Sequence, residues 1–216
     1  MSVQTFNYPR RTAILGFAAG MSLPRTALGQ GTEAIGQVER VQGEARAERA
    51  GGNASLQGGH PVFADDLVQT GPLSRLSLIF ADQSHLTLGE NAEVLIDEFV
   101  YRGNRENDVV ALAWTSGAFL SVSGAIARAR AEAVSVRTPV ATIGIRGTEF
   151  WGGRLERDFE VLVIEGRVVV ANAGGSVELS PGETTAVIDG ATAPAAAAIM
   201  PADRRTRAFA TVTFAP

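Results

Sequence analysis

Two histidines, His60 and His85, are the residues best suited to hold a metal or move a proton, and Asp65, Asp66 and Asp82 are the acids nearest them. A metal centre needs three or four such groups converging on one point. The spacing here follows no metal-binding pattern, so turn and surface roles are the simpler account. Acidic neighbours occur at Asp65-Asp66, Asp97-Glu98 and Glu156 to Asp158. Paired carboxylates can hydrolyse glycosides only when a cleft holds them at a set separation, whereas these pairs are expected to flank turns. No serine sits in a G-x-S-x-G elbow. The glycine pairs at 51–52, 58–59 and 152–153 open no helix that would cradle a phosphate. Cysteine is absent, which removes disulfides, thiolate metal ligands and thiol nucleophiles. The expectation is a protein that is not an enzyme and that uses no metal or cofactor.

Composition points the same way. The chain has 216 residues, 45% apolar and 19% charged, enough to bury a core. All 19 basic residues are arginine, yet the net charge is −4. A nucleic-acid partner is not expected, because neutralising phosphates takes a concentrated excess of positive charge.

The first 29 residues read as an export leader. Arg10-Arg11 precede an apolar stretch of 12 residues, Thr12 to Leu23. That is shorter than the roughly 20 residues a membrane-spanning helix needs and suits a signal-peptide core. Pro24 breaks it, and Ala27-Leu28-Gly29 offers small residues before Gln30. The paired arginines favour the twin-arginine route over the general secretory one. A periplasmic or secreted location follows, with no membrane span in the mature chain.

Beyond Ile35 the apolar period shortens to that of strands. Leu76, Leu78 and Phe80 alternate along one run, Asp82-Gln83-Ser84 interrupts, and His85 to Leu88 resumes it, so Arg75 to Leu88 reads as a hairpin. Further strands are expected at Glu93–Phe99, Val109–Trp114, Ala118–Val122, Val134–Arg137, Thr148–Trp151, Glu160–Ile164, Arg167–Ala171, Ser176–Leu179, Thr184–Ile188 and Arg207–Phe214. Glu165-Gly166 would turn a hairpin within Val161 to Val170, whose continuous apolar runs imply burial on both faces. Gly174-Gly175 and Ser180-Pro181-Gly182-Glu183 are further turns. Gly124 to Ala133 suits a short helix or a loop, and Arg46–Gly59 and Ala191–Pro201 look like linkers. The fold class is all-β, many short strands forming a sandwich, jelly roll or β-solenoid. The domains are a leader over 1–29, an all-β domain over 30–190 and an Ala/Pro linker with a tail or strand over 191–216.

One stretch stands apart, Arg137 to Trp151 (RTPVATIGIRGTEFW). Thr138-Pro139 starts it extended, since the residue before proline is pushed to β. Gly144 and Gly147 bracket Ile145-Arg146, and glycines inside strands mark bulges or close backbone approach. Arg146 reads first as a half-buried clamp paired with a carboxylate or turn carbonyls, with Ile143 and Ile145 on opposite faces. The alternative is an exposed contact for an anion or a partner.

The same stretch resembles the signature of the FecR domain, the periplasmic domain of ferric-citrate-type signal transducers. Its motif residues here are Thr138, Pro139, Gly144, Arg146, Gly147 and Thr148. Other segments fall in family order. Asp66 to Gly71 (DLVQTG) is similar to "D-x-V-x-T-G", and Ser77 to Ser84 (SLIFADQS) to "f-a-D-G-S", with Gln83 in place of the usual glycine. Leu86 to Gly89, Gly117 to Phe119, Val163 to Val168 and Leu179 to Glu183 follow, so the resemblance spans about Gly36 to Ile188. It implies an all-β domain that recognises another envelope protein or a ligand. Well-known members carry a cytoplasmic helical segment that controls a sigma factor, and then a membrane helix. Here a leader precedes the domain, so a stand-alone exported module of envelope signalling or regulation is expected. The competing reading is a sugar- or polymer-binding β-sandwich of the cell surface, using Trp114, Trp151, Phe119 and Phe150 as stacking faces.

Leader removal is directly measurable. N-terminal sequencing of the exported protein should begin near Gln30, and Arg10→Lys with Arg11→Lys should block export if the twin-arginine route is used.

Overall fold

Alternating apolar residues between turn formers produce, among the described residues, 16 strands that hydrogen-bond into one continuous sheet. The computed structural model describes residues 33–49, 52–103, 106–156 and 158–216, all within the unit Gly31–Pro216. The expected leader and its cleavage point lie outside the described residues.

The first strands are β1 (Gly36–Gln42), β2 (Ala45–Arg49), β3 (Gly52–Ser55), β4 (Pro61–Val62), β5 (Leu67–Thr70) and β6 (Arg75–Phe80). Then come β7 (His85–Leu88), β8 (Glu93–Val100), β9 (Val109–Ser116) and β10 (Phe119–Val122). Helix α1 (Ala125–Ala129) and a 3₁₀ turn (Ala131–Ala133) lead into β11 (Val134–Arg137), β12 (Thr142–Gly153) and β13 (Phe159–Asn172). The chain closes with β14 (Gly175–Leu179), β15 (Glu183–Val187), β16 (Ala198–Ile199) and helix α2 (Ala202–Ala210). The spatial order is β3-β2-β5-β8-β9-β11-β12-β10-β7-β6-β1-β4, and β13 lies along the other edge of β12. The all-β class therefore holds, realised as one curled sheet. Its concave side encloses a core with Leu76, Leu78, Leu88, Ile96, Phe119, Ile143 and Phe150. Trp114 lies 4.7 Å from Phe159, and Phe119 meets Phe150 edge-on, ring centres 5.6 Å apart.

Turn chemistry explains several joints. Gly182 has φ +82 after Pro181, and Glu183 N donates to Ser180 O, as a type II turn requires. The β6–β7 hairpin turns at Ala81-Asp82, with Gln83 N donating to Phe80 O and Gln83 at φ +63. Asp82 is buried there; its carboxylate accepts from Ser84 N and Ile126 N, and its carbonyl accepts from Ala125 N. The hairpin thus anchors the start of α1, confirming a helix within Gly124 to Ala133. Near the start of the sheet, Asp66 is buried with the Arg49 guanidinium 2.9 Å away. Burial pushes its carboxyl above the usual carboxylate range, against the opposing pull of the Phe63 amide and Arg49.

Four expectations are corrected. Arg46–Gly59 is not a linker, because it contains most of the β2–β3 antiparallel pair. Glu165-Gly166 turns no hairpin; β13 runs straight through it, and β12 is its hairpin partner. Asp97-Glu98 flanks no turn but sits inside β8, at a register shift against β9, with Asp97 paired to Arg137. Arg207–Phe214 is not a strand. Residues 202–210 form α2 after Pro201, with Asp203 in its first turn and Arg207 in its last, both favoured by the helix dipole.

The C-terminal segment packs on the convex side. Met200, Ala208 and Val212 cluster with Ala118, Trp151 and Leu162. Trp151 Nε1 donates to Thr211 Oγ1 at 3.0 Å, and Arg204 reaches the buried Glu160 carboxylate at 2.7 Å. Removing the guanidinium would leave a buried charge unpaired. Arg204→Ala should cost about 1–3 kcal/mol in urea unfolding, because Arg204 is itself partly exposed. Adding Glu160→Gln to that variant should recover part of the loss.

Candidate functional site

In a strand, residues two apart share a face, so a strand that must keep one face inward keeps its parity unless a bulge resets it. Strands β12 and β13 both reset theirs. Ile143 and Ile145 are in the core, and after Gly147 the core residue is Phe150. On β13, Val161 and Val163 are in the core, and after Gly166 so are Val168 and Val170. Arg146 pairs with Arg167, the ladder slips, and the next pair is Glu149 with Glu165. Gly147 has φ +57 and Gly166 φ +79, backbone conformations that side chains other than glycine's adopt at a cost. A Cβ on Gly166 would also stand 2.2 Å from Gly147 O.

The double bulge divides the outer face of the pair. Beyond it, Trp151 and Leu162 pack with the C-terminal segment. Before it, Arg146, Arg167 and Val169 are exposed. That uncovered half, flanked by α1 and the 3₁₀ turn, forms an open groove of about 850 Å³. Four arginines line it, Arg128, Arg130, Arg146 and Arg167, against two acids, Glu132 and Glu178. Three of the four are tethered. Arg128 donates to Ser123 O at 3.1 Å, Arg130 to Glu106 O and Asp108 O at 2.6 and 2.8 Å, and Arg167 to Glu178 at 2.9 Å. Arg146 has no hydrogen bond or ion pair among the described residues, and it stands directly across the ladder from another arginine.

The motif residues therefore serve different ends. Thr138 and Pro139 make the β11–β12 turn: Thr138 N donates to Ala141 O at 2.8 Å, and Thr138 Oγ1 accepts from Ala141 N at 2.9 Å. Thr148 N donates to Ser123 Oγ, and Ser123 N donates back to Thr148 O, which fastens the approach to α1 onto β12. Gly144 lies on the outer face within the groove, and Gly147 forms the bulge. The clamp expected of Arg146 is overturned, since its side chain is exposed and has no partner among the described residues. Ile143 and Ile145 share the core face instead of opposing it, as their spacing dictates.

Other candidates are not brought together. His60 contacts Ser55 O, His85 lies 3.5 Å from Glu39, and Asp66 and Asp82 are tied up as described. Among the described residues no group of three or more His, Cys, Asp or Glu converges as a metal site would need. Trp114, Trp151, Phe119 and Phe150 are all buried, so they offer no stacking surface for sugars. Sequence reasoning passed over Arg128, Arg130 and Arg167. Only the register of β12 against β13 and the α1 docking reveal that they meet Arg146.

Fold and groove together define an all-β domain with a convex, arginine-lined surface. Residues 66–169 match the family model for FecR protein, and all four arginines lie within that stretch. No curated protein matches the chain. A crystal structure of a candidate anti-sigma factor from Parabacteroides distasonis is similar in fold, with a TM-score of 0.51 and 16% identity over 65% of this chain. The chain spans 62% of that protein's length. A second crystal structure of such a protein from the same organism has a TM-score of 0.49 at 16% identity, covering 65% of this chain and 62% of that one.

Gly147→Val should destabilise by about 1–3 kcal/mol, because a β-branched residue is strained at positive φ. Gly147→Asn should cost less than about 1 kcal/mol, since asparagine tolerates that region. Arg146→Ala should leave the thermal transition within about 0.5 kcal/mol of the parent, as expected for a surface residue with no partner.

Proposed function

We propose that this chain is an exported, non-catalytic module of bacterial envelope regulation that works by binding another envelope protein. The observation that carries the reading is the half-covered convex face of the β12–β13 pair. The domain builds a two-strand bulge that holds arginines on a surface its own C-terminal segment leaves open. The match to the FecR family model over residues 66–169 supports a regulatory role. The fold likeness to a candidate anti-sigma factor is compatible with it. Export to the periplasm or beyond rests on Arg10-Arg11 and the apolar run after them.

Fractionation of native cells expressing the tagged full chain should recover it in the periplasm or the medium. Chemical cross-linking should yield one discrete heavier adduct containing a second envelope protein. Retention in the cytosol, or an envelope protein that never cross-links, would overturn the proposal.

A further inference from the structure

We infer that the groove receives an acidic, extended segment of the protein partner, gripped by Arg146 and Arg167 and flanked by Arg128 and Arg130. The inference rests on the binding role proposed above and adds the chemistry of what is bound.

Charge complementarity carries it. The whole chain has a net charge of −4. The groove nonetheless gathers four arginines and two carboxylates, a local balance of +2. Like charges directly opposed on neighbouring strands are destabilising, and Arg146 faces Arg167 in the β12–β13 ladder with no acceptor of its own among the described residues. A guanidinium offers five donors in a planar fork that matches a carboxylate two bonds at a time. Arg146 is therefore an open fork, and Arg167 keeps the donors that Glu178 does not take. Arg128, Arg130 and Arg167 keep one or more donors on the domain itself, which fixes where their charge stands. Exposed Val169, beside Arg167 on the same strand, adds an apolar contact.

The register limits the length of the grip. Just past the bulge the paired residues are Glu149 and Glu165, which reverse the sign and repel an acidic chain that runs on. An acidic protein overall is a poor match for nucleic acid or an anionic lipid surface, which reward charge over wide areas. A short acidic stretch needs only the local field.

The test uses the full chain and a fluorescent peptide with glutamate at alternate positions. A glutamine twin, a heparin fragment and anionic phosphatidylglycerol vesicles serve as competing probes. Saturable binding of the glutamate peptide is expected. It should weaken at least about tenfold in the Arg146→Glu, Arg167→Glu variant and fall as salt rises from about 0.05 to about 0.5 M. Circular dichroism and the melting transition of the variant should match the parent's. If the double reversal misfolds, Arg146→Ala with Arg167→Gln keeps the measurement possible and should also weaken binding. Equal binding by the variants or of the glutamine twin, no saturable peptide binding, or a preference for heparin or vesicles would overturn the inference. Cross-linking to the envelope partner that persists in the charge-reversed variant would sink this inference alone. Loss of cross-linking in the parent chain would sink the binding role beneath it.

Discussion

The structure depends on two neighbouring strands keeping their apolar residues inward along 12 and 14 residues while each spans two different environments. A regular strand of that length would carry the inward set Ile143 and Ile145 on to Gly147, Glu149 and Trp151. One extra residue in each strand prevents this, so Thr148 and Phe150 turn in and Trp151 turns out. The slip is possible because glycine occupies the bulge in both strands and the two glycines fit against each other. It also lets β12 serve three partners. Its first half pairs with β11, its second half with β10, and β13 follows it throughout. The two arms of the sheet meet on this strand.

Much of this was legible in the residues. The β6–β7 hairpin, the turn at Ser180 to Glu183 and the burial of Val161 to Val163 on both faces follow from alternation, proline and glycine placement, and unbroken apolar runs, whereas the same expectation fails for Val168 to Val170, where Val169 is exposed. The errors have physical causes. A glycine at positive φ serves a hairpin turn and a bulge equally well, so Glu165-Gly166 read as a turn until the pairing with β12 was known. Arg207 to Phe214 mixes Phe, Val and Thr, which favour strands, with residues that sit well in a helix. The local preference is weak, and the fit of Ala208 and Val212 around Trp151 decides it. Arg146 could not be placed because its exposure depends on which residue of the bulge is the extra one. Periodicity does fix one feature of this stretch: Ile143 and Ile145, two apart, belong on one face.

Charge is handled differently on the two halves of the convex side. Where the C-terminal segment lies, Glu160 is buried and met by Arg204, so the ion pair is part of the packing. Where the face is open, Arg146 meets Arg167 across the same pair of strands, and just past the bulge Glu149 meets Glu165. Opposed like charges weaken the local ladder, and the domain tolerates them where solvent screens them and the bulge already interrupts the hydrogen bonding. The covered half closes its buried charge within the packing, whereas on the exposed half Arg146 is left without a partner among the described residues.

The central strand also has a kinetic consequence. The partners of β12 come from before and after it in sequence, β9 and β11 pair in parallel, and Arg40 and Gln42 of β1 bond to Ala215. Such distant closures must meet their chain-entropy cost before the contacts stabilise anything, which slows folding relative to a chain of local hairpins. Until the last residues dock, Trp151 and Leu162 are left without their cover. An apolar, half-paired surface of that kind is prone to associate with other chains. For this molecule, docking of α2 and the residues after it is the step that withdraws that surface from other chains.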